Sequence, residues 1–262
     1  MQLFKQFGKS KLNFFILGIG SIWFGRNWPP DDTSYILPDH KEVMDYLDNI
    51  FNKISNENYL IMIDTAPAYG LSEERLGKYF AERKDFLNNA FIATKWGAEY
   101  DVITKLSSLH HTKEHLIFSV NRSISRLGKI DLLYIHGTSI EALKNKEIMN
   151  EMKIMKSQHI GNIKYIGASI SEENTLVKAC KDNLIDDLDV IQLPGVLFLK
   201  QIDLINELYY KGIAIVINSP IKKGGNREPR NIFKDLLSHN QVTIILTGTR
   251  HHLEETLSYM IE

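Results

Sequence analysis

The sequence predicts an α/β protein, a single-domain (β/α)8 (TIM) barrel spanning residues 1–262, and three observations lead to that class. Eight short apolar runs alternate with eight segments of helical period. The runs are nearly continuously apolar, as strands of a parallel sheet covered on both faces must be. No composition break, low-complexity tract or linker divides the chain, and barrels of this length are commonly one domain. The rival class, an open doubly wound sheet, usually carries a glycine-rich phosphate turn after its first strand. Here the first run leads into Gly18-Ile-Gly20-Ser-Ile-Trp-Phe-Gly25, which lacks the G-x-G-x-x-G spacing and does not open a helix.

In chain order, the first strand is expected over 14–20. A long loop, about 21–39, follows with Trp23, Trp28, Pro29, Pro30, Tyr35 and Pro38. Val43, Leu47, Ile50 and Phe51 share one face of a helix over 40–56. The second strand, 59–64, ends in a turn built on Pro67 and Gly70, and a helical pattern runs over 72–84. The same alternation then gives strands at 89–94, 130–136, 163–169, 188–193, 213–218 and 242–247. Their helices are expected at 112–127, 140–158, 171–182, 200–211, 229–238 and 250–261.

Bulk composition narrows the function. The chain is 44% hydrophobic and 24% charged, the profile of a globular protein. Its 31 basic and 32 acidic residues give no electrostatic case for nucleic acid or an anionic membrane. The lone Cys180 precludes an internal disulfide and fits a reducing compartment, as a structural thiol. Lys5, Lys9 and Lys11 followed by the apolar run 12–24 superficially resemble a signal peptide. The run contains Asn13 and two glycines, ends at Arg26 and lacks a small-residue cleavage site, so a buried strand explains it better. No other run approaches the ~20 apolar residues of a membrane span. A cytoplasmic location is expected.

Three of these strands close on a chemically active side chain: Asp64, Lys95 and His136. Tyr69 follows five residues after Asp64, in the turn. Catalytic groups of such barrels sit at the C-terminal ends of strands, and strands two, three and four are neighbours. Each residue alone has a plain structural explanation: a turn cap, a packed phenol, a solvated ammonium, a buried imidazole. Their convergence on one sector of one rim favours chemistry. A phenol titrates near ~10 in isolation, and a nearby ammonium lowers that value while a carboxylate opposes it. Neutral His136 can direct a substrate oxygen. Such a set polarises a carbonyl and delivers a proton to it. None of the four supplies an electron pair suited to making a C–H bond, so hydride must come from a cofactor.

The motifs Asp64-Thr-Ala-x-x-Tyr-Gly-x-Ser-Glu-x-x-Leu-Gly77, Thr94-Lys-Trp-Gly97 and Asp131-Leu-Leu-Tyr-Ile-His136 resemble those of the aldo-keto reductases. The likeness runs from about Leu17 to Leu257, with motif order kept. It implies Tyr69 as general acid, Lys95 and Asp64 as the groups that tune it, His136 as the carbonyl-positioning group, and NADPH as hydride donor. By the same resemblance Gly20 and Ser21 meet the nicotinamide ribose, with Asp64 beside them. Ser169 and Gln192 meet the carboxamide. Asn218, Ser219, Pro220 and Ile221 cradle the nicotinamide and pyrophosphate, Asn218 standing where an aromatic or arginine often stacks. Gly248, Thr249, Arg250, His252 and Glu255 match the segment at strand eight and helix eight, about two residues shorter than usual. Arg250 or His252 then clamps a 2′-phosphate at a helix start, favouring NADP over NAD. The chain ends within helix eight, where many relatives continue into a substrate-covering tail. An open pocket is expected, with Trp23 and Trp96 at the substrate, suiting a bulky or carrier-attached carbonyl such as a sugar.

Two other classes fit the same residues. A Schiff-base lyase would use Lys95 as nucleophile, and a cofactor-binding sensor or scaffold would keep the site with little turnover. His110, His111 and His115 have spacing that suits a metal on a helix, but no carboxylate or cysteine is spaced to complete it, so they read as a solvated helix start and no metal is expected. The partner is a small-molecule carbonyl; the oligomeric state is not legible.

Overall fold

The computed structural model describes residues 3–27, 36–54, 58–221, 227–248 and 253–261. Eight parallel strands close into a barrel in sequential order: β1 (Leu17–Gly20), β2 (Ile61–Asp64), β3 (Ala90–Trp96), β4 (Leu132–Ile135), β5 (Tyr165–Ser169), β6 (Val190–Pro194), β7 (Ala214–Asn218) and β8 (Val242–Thr247). β8 pairs with β1, Leu246 opposite Gly18. The principal helices after each strand are α1 (His40–Ile54), α2 (Ser72–Glu82), α3 (Lys113–Leu127), α4 (Lys146–Ser157), α5 (Glu173–Lys181), α6 (Ile202–Tyr210), α7 (Pro229–Ser238) and α8 (Leu253–Ile261). Each of the eight strand–helix alternations expected from periodicity is present. No helix among the described residues is long and apolar enough to cross a membrane.

Three local departures have clear physical causes. The run expected as one strand over 14–20 divides. Asn13–Phe15 pairs antiparallel with Phe4–Gln6, and only Leu17–Gly20 enters the barrel. The segment expected as one helix over 140–158 breaks at Asn145, whose side chain accepts from the amides of Glu147 and Ile148 and so restarts the helix. Between β3 and α3, where no regular structure was expected, Ala98–Tyr100 and Ser107–Leu109 form an antiparallel hairpin.

Strand alternation sorts the core into two layers. Ile63, Ile92, Trp96, Leu133, Ile135 and Ile191 point outward and pack in the layer between strands and helices. Met62, Phe91, Ala93, Leu132, Tyr134, Val190, Ala214, Val216, Ile244 and Leu246 point inward and form a separate apolar cluster. The N-terminal hairpin seals the bottom of that cluster with Phe7 and Phe14, whose rings lie 5.5 and 4.8 Å from Phe91. Gly18 belongs to the interior because a Cβ there would come within 2.8–3.1 Å of Leu246, Ile244 and the Met62 carbonyl. Along the same inward rows, the C-terminal end of the barrel changes from apolar to polar.

Candidate active site

Asp64, Lys95, Ser169 and Asn218 occupy the last inward positions of β2, β3, β5 and β7, and Gln192 the inward position of β6 before its terminal Pro194. Lys95 is 1% exposed, and its ammonium has three protons to place. They go to Asp64 Oδ1 at 2.5 Å, the Thr65 carbonyl at 2.9 Å and the Tyr69 hydroxyl at 3.2 Å. The other Asp64 oxygen accepts from Gln192 Nε2 at 2.7 Å. Gln192 Oε1 accepts from Ser169 Oγ at 2.9 Å and Asn218 Nδ2 at 3.1 Å. One hydrogen-bonded row therefore crosses the barrel from β7 to the Tyr69 turn.

The turn holding Tyr69 is fixed by its neighbours. Pro67–Tyr69 is a single 3-10 turn closed by Tyr69 N donating to the Ala66 carbonyl at 2.9 Å. Gly70 follows at φ +62°, a conformation that favours glycine. Against it lies the short helix Ile22–Gly25, and a Cβ at Gly25 would sit 1.8 Å from the Tyr69 carbonyl oxygen. Ser72, at the start of α2, turns its hydroxyl inward to Ser21 Oγ at 2.7 Å and Thr65 Oγ1 at 3.1 Å. Ser21 Oγ donates to the Asp64 carbonyl at 2.8 Å. This hydroxyl cluster ties the ends of β1 and β2 together beneath the phenol.

The electrostatics follow from burial and these contacts. Burial works against the charge of Lys95, but Asp64 and the phenol outweigh it and hold the ammonium above its ordinary value. Burial raises the Tyr69 phenol, the Lys95 charge lowers it, and Asp64 raises it, leaving it above its ordinary value. His136, just past the end of β4, packs its ring perpendicular to Tyr69 with centroids 5.9 Å apart. Burial, then Lys95 and His111, pushes the His136 imidazole down to about 3. His136 is thus neutral at pH 7 and retains one ring N–H to donate. The phenol already accepts from Lys95, so its own proton is directed elsewhere. Together these groups form a charged, buried base beneath two half-exposed rings, arranged to donate hydrogen bonds and a proton to an acceptor oxygen at the mouth.

The four residues expected to act together are within contact of one another, and Ser169, Gln192 and Asn218 stand with them. Gly20 is half-buried at the β1 end, and Ser21 is fully buried with its hydroxyl committed to the Asp64 carbonyl. Ser219 (φ +42°), Pro220 and Ile221 continue from β7 at the rim, with Ile221 exposed. Among the described residues, a Cβ at Gly248 would meet nothing within 4 Å. Glu255 is exposed and accepts from the Tyr259 hydroxyl. Thr249, Arg250 and His252 lie outside the described residues. The two tryptophans expected at the substrate are corrected. Trp96 alternates with Lys95, so it points outward into the strand–helix layer with no exposed surface, its ring near His111. Trp23 is likewise core, packed on Phe24 and Tyr46 at 4.2 and 4.8 Å.

Sequence reading missed three residues that support the site. Arg26, Tyr100 and His111 reach it from the first loop, the hairpin and the segment before α3. His111 Nε2 donates to the His136 carbonyl at 2.8 Å, and was read as part of a solvated helix start. His115 instead pairs with Glu99 at 3.1 Å. Among the described residues no group of three His, Cys, Asp or Glu side chains is gathered to hold a metal ion. Cys180 is half-buried, its thiol pushed up to about 11 by burial.

The barrel with an Asp–Tyr–Lys–His cluster at its C-terminal mouth defines a class, and comparison with known proteins bears on it directly. The model of the aldo/keto reductase family matches residues 17–260, and the chain belongs to that family. A Schizosaccharomyces pombe relative, the aldo-keto reductase yakc [NADP(+)], is 31% identical over 163 residues, which is 60% of this chain and 46% of that protein. The chain thus aligns with less than half the length of this curated relative. In overall fold it is similar to a Pseudomonas aeruginosa structure described as an aldo-keto reductase, at TM-score 0.78 and 24% identity over 99% of this chain and 94% of that one. An aldo-keto reductase from Bacillus halodurans in its holo form gives TM-score 0.75 at 18% identity, covering 100% and 92%. One from Klebsiella pneumoniae, in complex with NADPH, gives 0.69 at 14% identity, covering 99% and 90%.

Proposed function

We propose that this protein is an NADP(H)-dependent oxidoreductase that interconverts an aldehyde or ketone and the corresponding alcohol, with Tyr69 as the proton donor in the reducing direction. The observation that carries the reading is the placement of the Lys95 protons. The phenol oxygen accepts one of them at 3.2 Å, which favours the phenolate that proton donation leaves behind. Asp64 keeps the ammonium charged. Neutral His136 donates to the same substrate oxygen and fixes its position as negative charge develops there.

The residues present fit a nicotinamide nucleotide. Ser169 and the half-exposed Asn218, both anchored on the buried Gln192, place hydroxyl and amide groups together at the strand ends, matching the donor and acceptor of a carboxamide. When bound, such a cofactor supplies or accepts the hydride that no side chain here provides. The NADP(+) named for the S. pombe relative supports NADP over NAD, in line with the resemblance at Arg250 and His252.

A Schiff-base lyase requires a neutral amine, and Lys95 is held charged by Asp64, so the geometry favours the reductase. The sensor reading is separated by turnover. Purified protein supplied with a panel of aldehydes and ketones should oxidise NADPH faster than NADH, followed by absorbance. Tyr69→Phe should lower that rate by roughly 10²- to 10⁴-fold while nucleotide binding persists. Tight nucleotide binding with no turnover across the panel would favour the sensor, and full turnover in Tyr69→Phe would remove the phenol from its role.

A further inference from the structure

Arg26 is a buried charged residue bonded to the acid turn that the reaction just described does not use. It follows Gly25, whose carbonyl accepts from Leu71 N at 3.2 Å and whose backbone lies against Tyr69. It is 3% exposed. One guanidinium nitrogen donates to the Ala68 carbonyl, the residue before the phenol, at 3.1 Å, and to Ser107 Oγ of the hairpin at 3.4 Å. The guanidinium plane carbon stands 3.5 Å from the centre of the Tyr100 ring, on the facing hairpin strand. Beneath them Ala66, Ala68 and Ala98 pack together with Tyr69 and Tyr100. A planar, permanently charged fork on an aromatic face, bonded to a carbonyl of the acid turn, is a pre-organised arrangement with little freedom left to the side chain.

We propose that Arg26, seated on Tyr100, is a positioning residue for Tyr69: it locks the acid turn through the Ala68 carbonyl and adds a cation to the turn that carries the phenol. The proposal rests on Tyr69 being the proton donor. On loss of its proton the phenol oxygen gains a full negative charge in a buried place. Lys95 faces it but is already bound to Asp64, and His136 is neutral and contributes no charge. Of the other titratable groups on the packed elements, Glu99 is paired with Arg122 and His115, His111 donates to the His136 carbonyl, and Tyr100 is the surface on which Arg26 lies. The Arg26 charge acts on the phenol in the same direction as Lys95. The hairpin between β3 and α3 thereby acquires a role. It is held to α3 by Glu99 accepting both oxygens' worth of hydrogen bonds from Arg122 at 2.6 and 2.7 Å, and it in turn holds Arg26.

The test reads the phenol directly. In protein labelled at the tyrosine Cζ carbon, the Tyr69 signal is assigned with Tyr69→Phe and titrated by NMR. Arg26→Met should move that titration upward, and should lower the turnover number for carbonyl reduction about tenfold without changing the nucleotide KM. Arg26→Lys should restore the titration but only part of the turnover, since a single amine cannot both lie flat on Tyr100 and hold the carbonyl. Should Arg26→Met not fold, Tyr100→Leu at the half-exposed hairpin position is read in the same way and should shift the titration in the same direction. An unchanged Tyr69 titration in a folded variant would overturn the proposal, even if turnover fell. Because the titration needs no turnover, wild-type protein that reduces no carbonyl would sink the reductase reading and the catalytic part of this inference with it, whereas the hold of Arg26 on the phenol is decided by the NMR alone.

Discussion

The two ends of the barrel interior are built on the same strands and the same inward rows, yet they hold opposite chemistry. On β2 the row passes from Met62 to Asp64, on β3 from Phe91 and Ala93 to Lys95, on β6 from Val190 to Gln192, and on β7 from Val216 to Asn218. Two residues of advance, one repeat of the strand, replace a hydrocarbon by a group that hydrogen-bonds. The lower end is closed by rings: Phe7, Phe14, Phe91 and Tyr165 lie with centroids 4.8–5.8 Å apart. The upper end is closed by a hydrogen-bonded row. Tyr134 marks the boundary, fully buried in the lower cluster with the Lys95 ammonium 5.9 Å from its ring centre. Dispersion and the hydrophobic effect are short-ranged and local, so the lower half can carry stability while the upper half carries a buried ion pair that is poor at it.

The sharpest way to break this division is to remove one member of the upper pair. Lys95→Met leaves Asp64 buried without its cation, which should cost about 3–5 kcal/mol of stability as well as turnover. Adding Asp64→Asn should return most of the stability and none of the turnover. Chemical denaturation of the single and double variants checks this; a double variant as unstable as the single one would mean that the upper row is structural glue after all. Phe91→Ala is the counterpart at the lower end. It should cost about 3–5 kcal/mol by leaving a cavity, while the turnover of the remaining folded protein stays within about twofold, as expected when no reacting group has moved. A large loss of turnover per folded molecule would show that the two halves are mechanically coupled.

How much of this was legible in the sequence follows from the same contrast. The eight strands could be read because burial on both faces makes them uniformly apolar, and Asp64, Lys95 and His136 stood out because they end such runs. Gln192 and Asn218 came from the resemblance of the later segments to the family. The signal is silent about which side of the strand a residue faces: Trp96 follows Lys95 by one position and so lies in the other layer. It also says nothing of contacts made by short irregular segments. Arg26, Tyr100 and His111 sit in stretches with no period, and their partners are 42, 74 and 25 residues away along the chain. The N-terminal hairpin was hidden because Phe14 and Phe15 continue the apolar run of β1, although their backbone pairs with Phe4–Gln6.

A gentler probe uses pH. The His136 ring is held at about 3 in the folded protein against an ordinary 6.5. The folded state therefore refuses a proton that the unfolded chain accepts below about 6.5. The stability tied to this neutral ring is fully present above that pH and is lost as pH falls toward about 3, with a slope of at most ~1.4 kcal/mol per pH unit. His136→Gln should flatten the acid limb of stability across that window by this amount relative to the parent. Parallel limbs in the two proteins would mean that the imidazole takes up its proton freely, and the upper rim would then be wetter than its packing indicates.

The smallest effect tests the far end of the polar row. Asn218 is half-exposed and gives one neutral hydrogen bond to Gln192 Oε1 at 3.1 Å. In the unliganded protein, water can replace that donor, so Asn218→Ala should change stability by no more than about 1 kcal/mol. Toward a nicotinamide nucleotide the same residue sits where the carboxamide contacts are proposed, and loss of one such bond should weaken binding about fivefold, the equivalent of ~1 kcal/mol. Measured by fluorescence titration with NADPH and by denaturation in its absence, the two numbers separate a rim built for a ligand from one built for the fold. If stability fell well beyond this while nucleotide affinity stayed unchanged, β7 would belong with the lower half of the barrel, and the change of chemistry along its inward row would be a feature of packing.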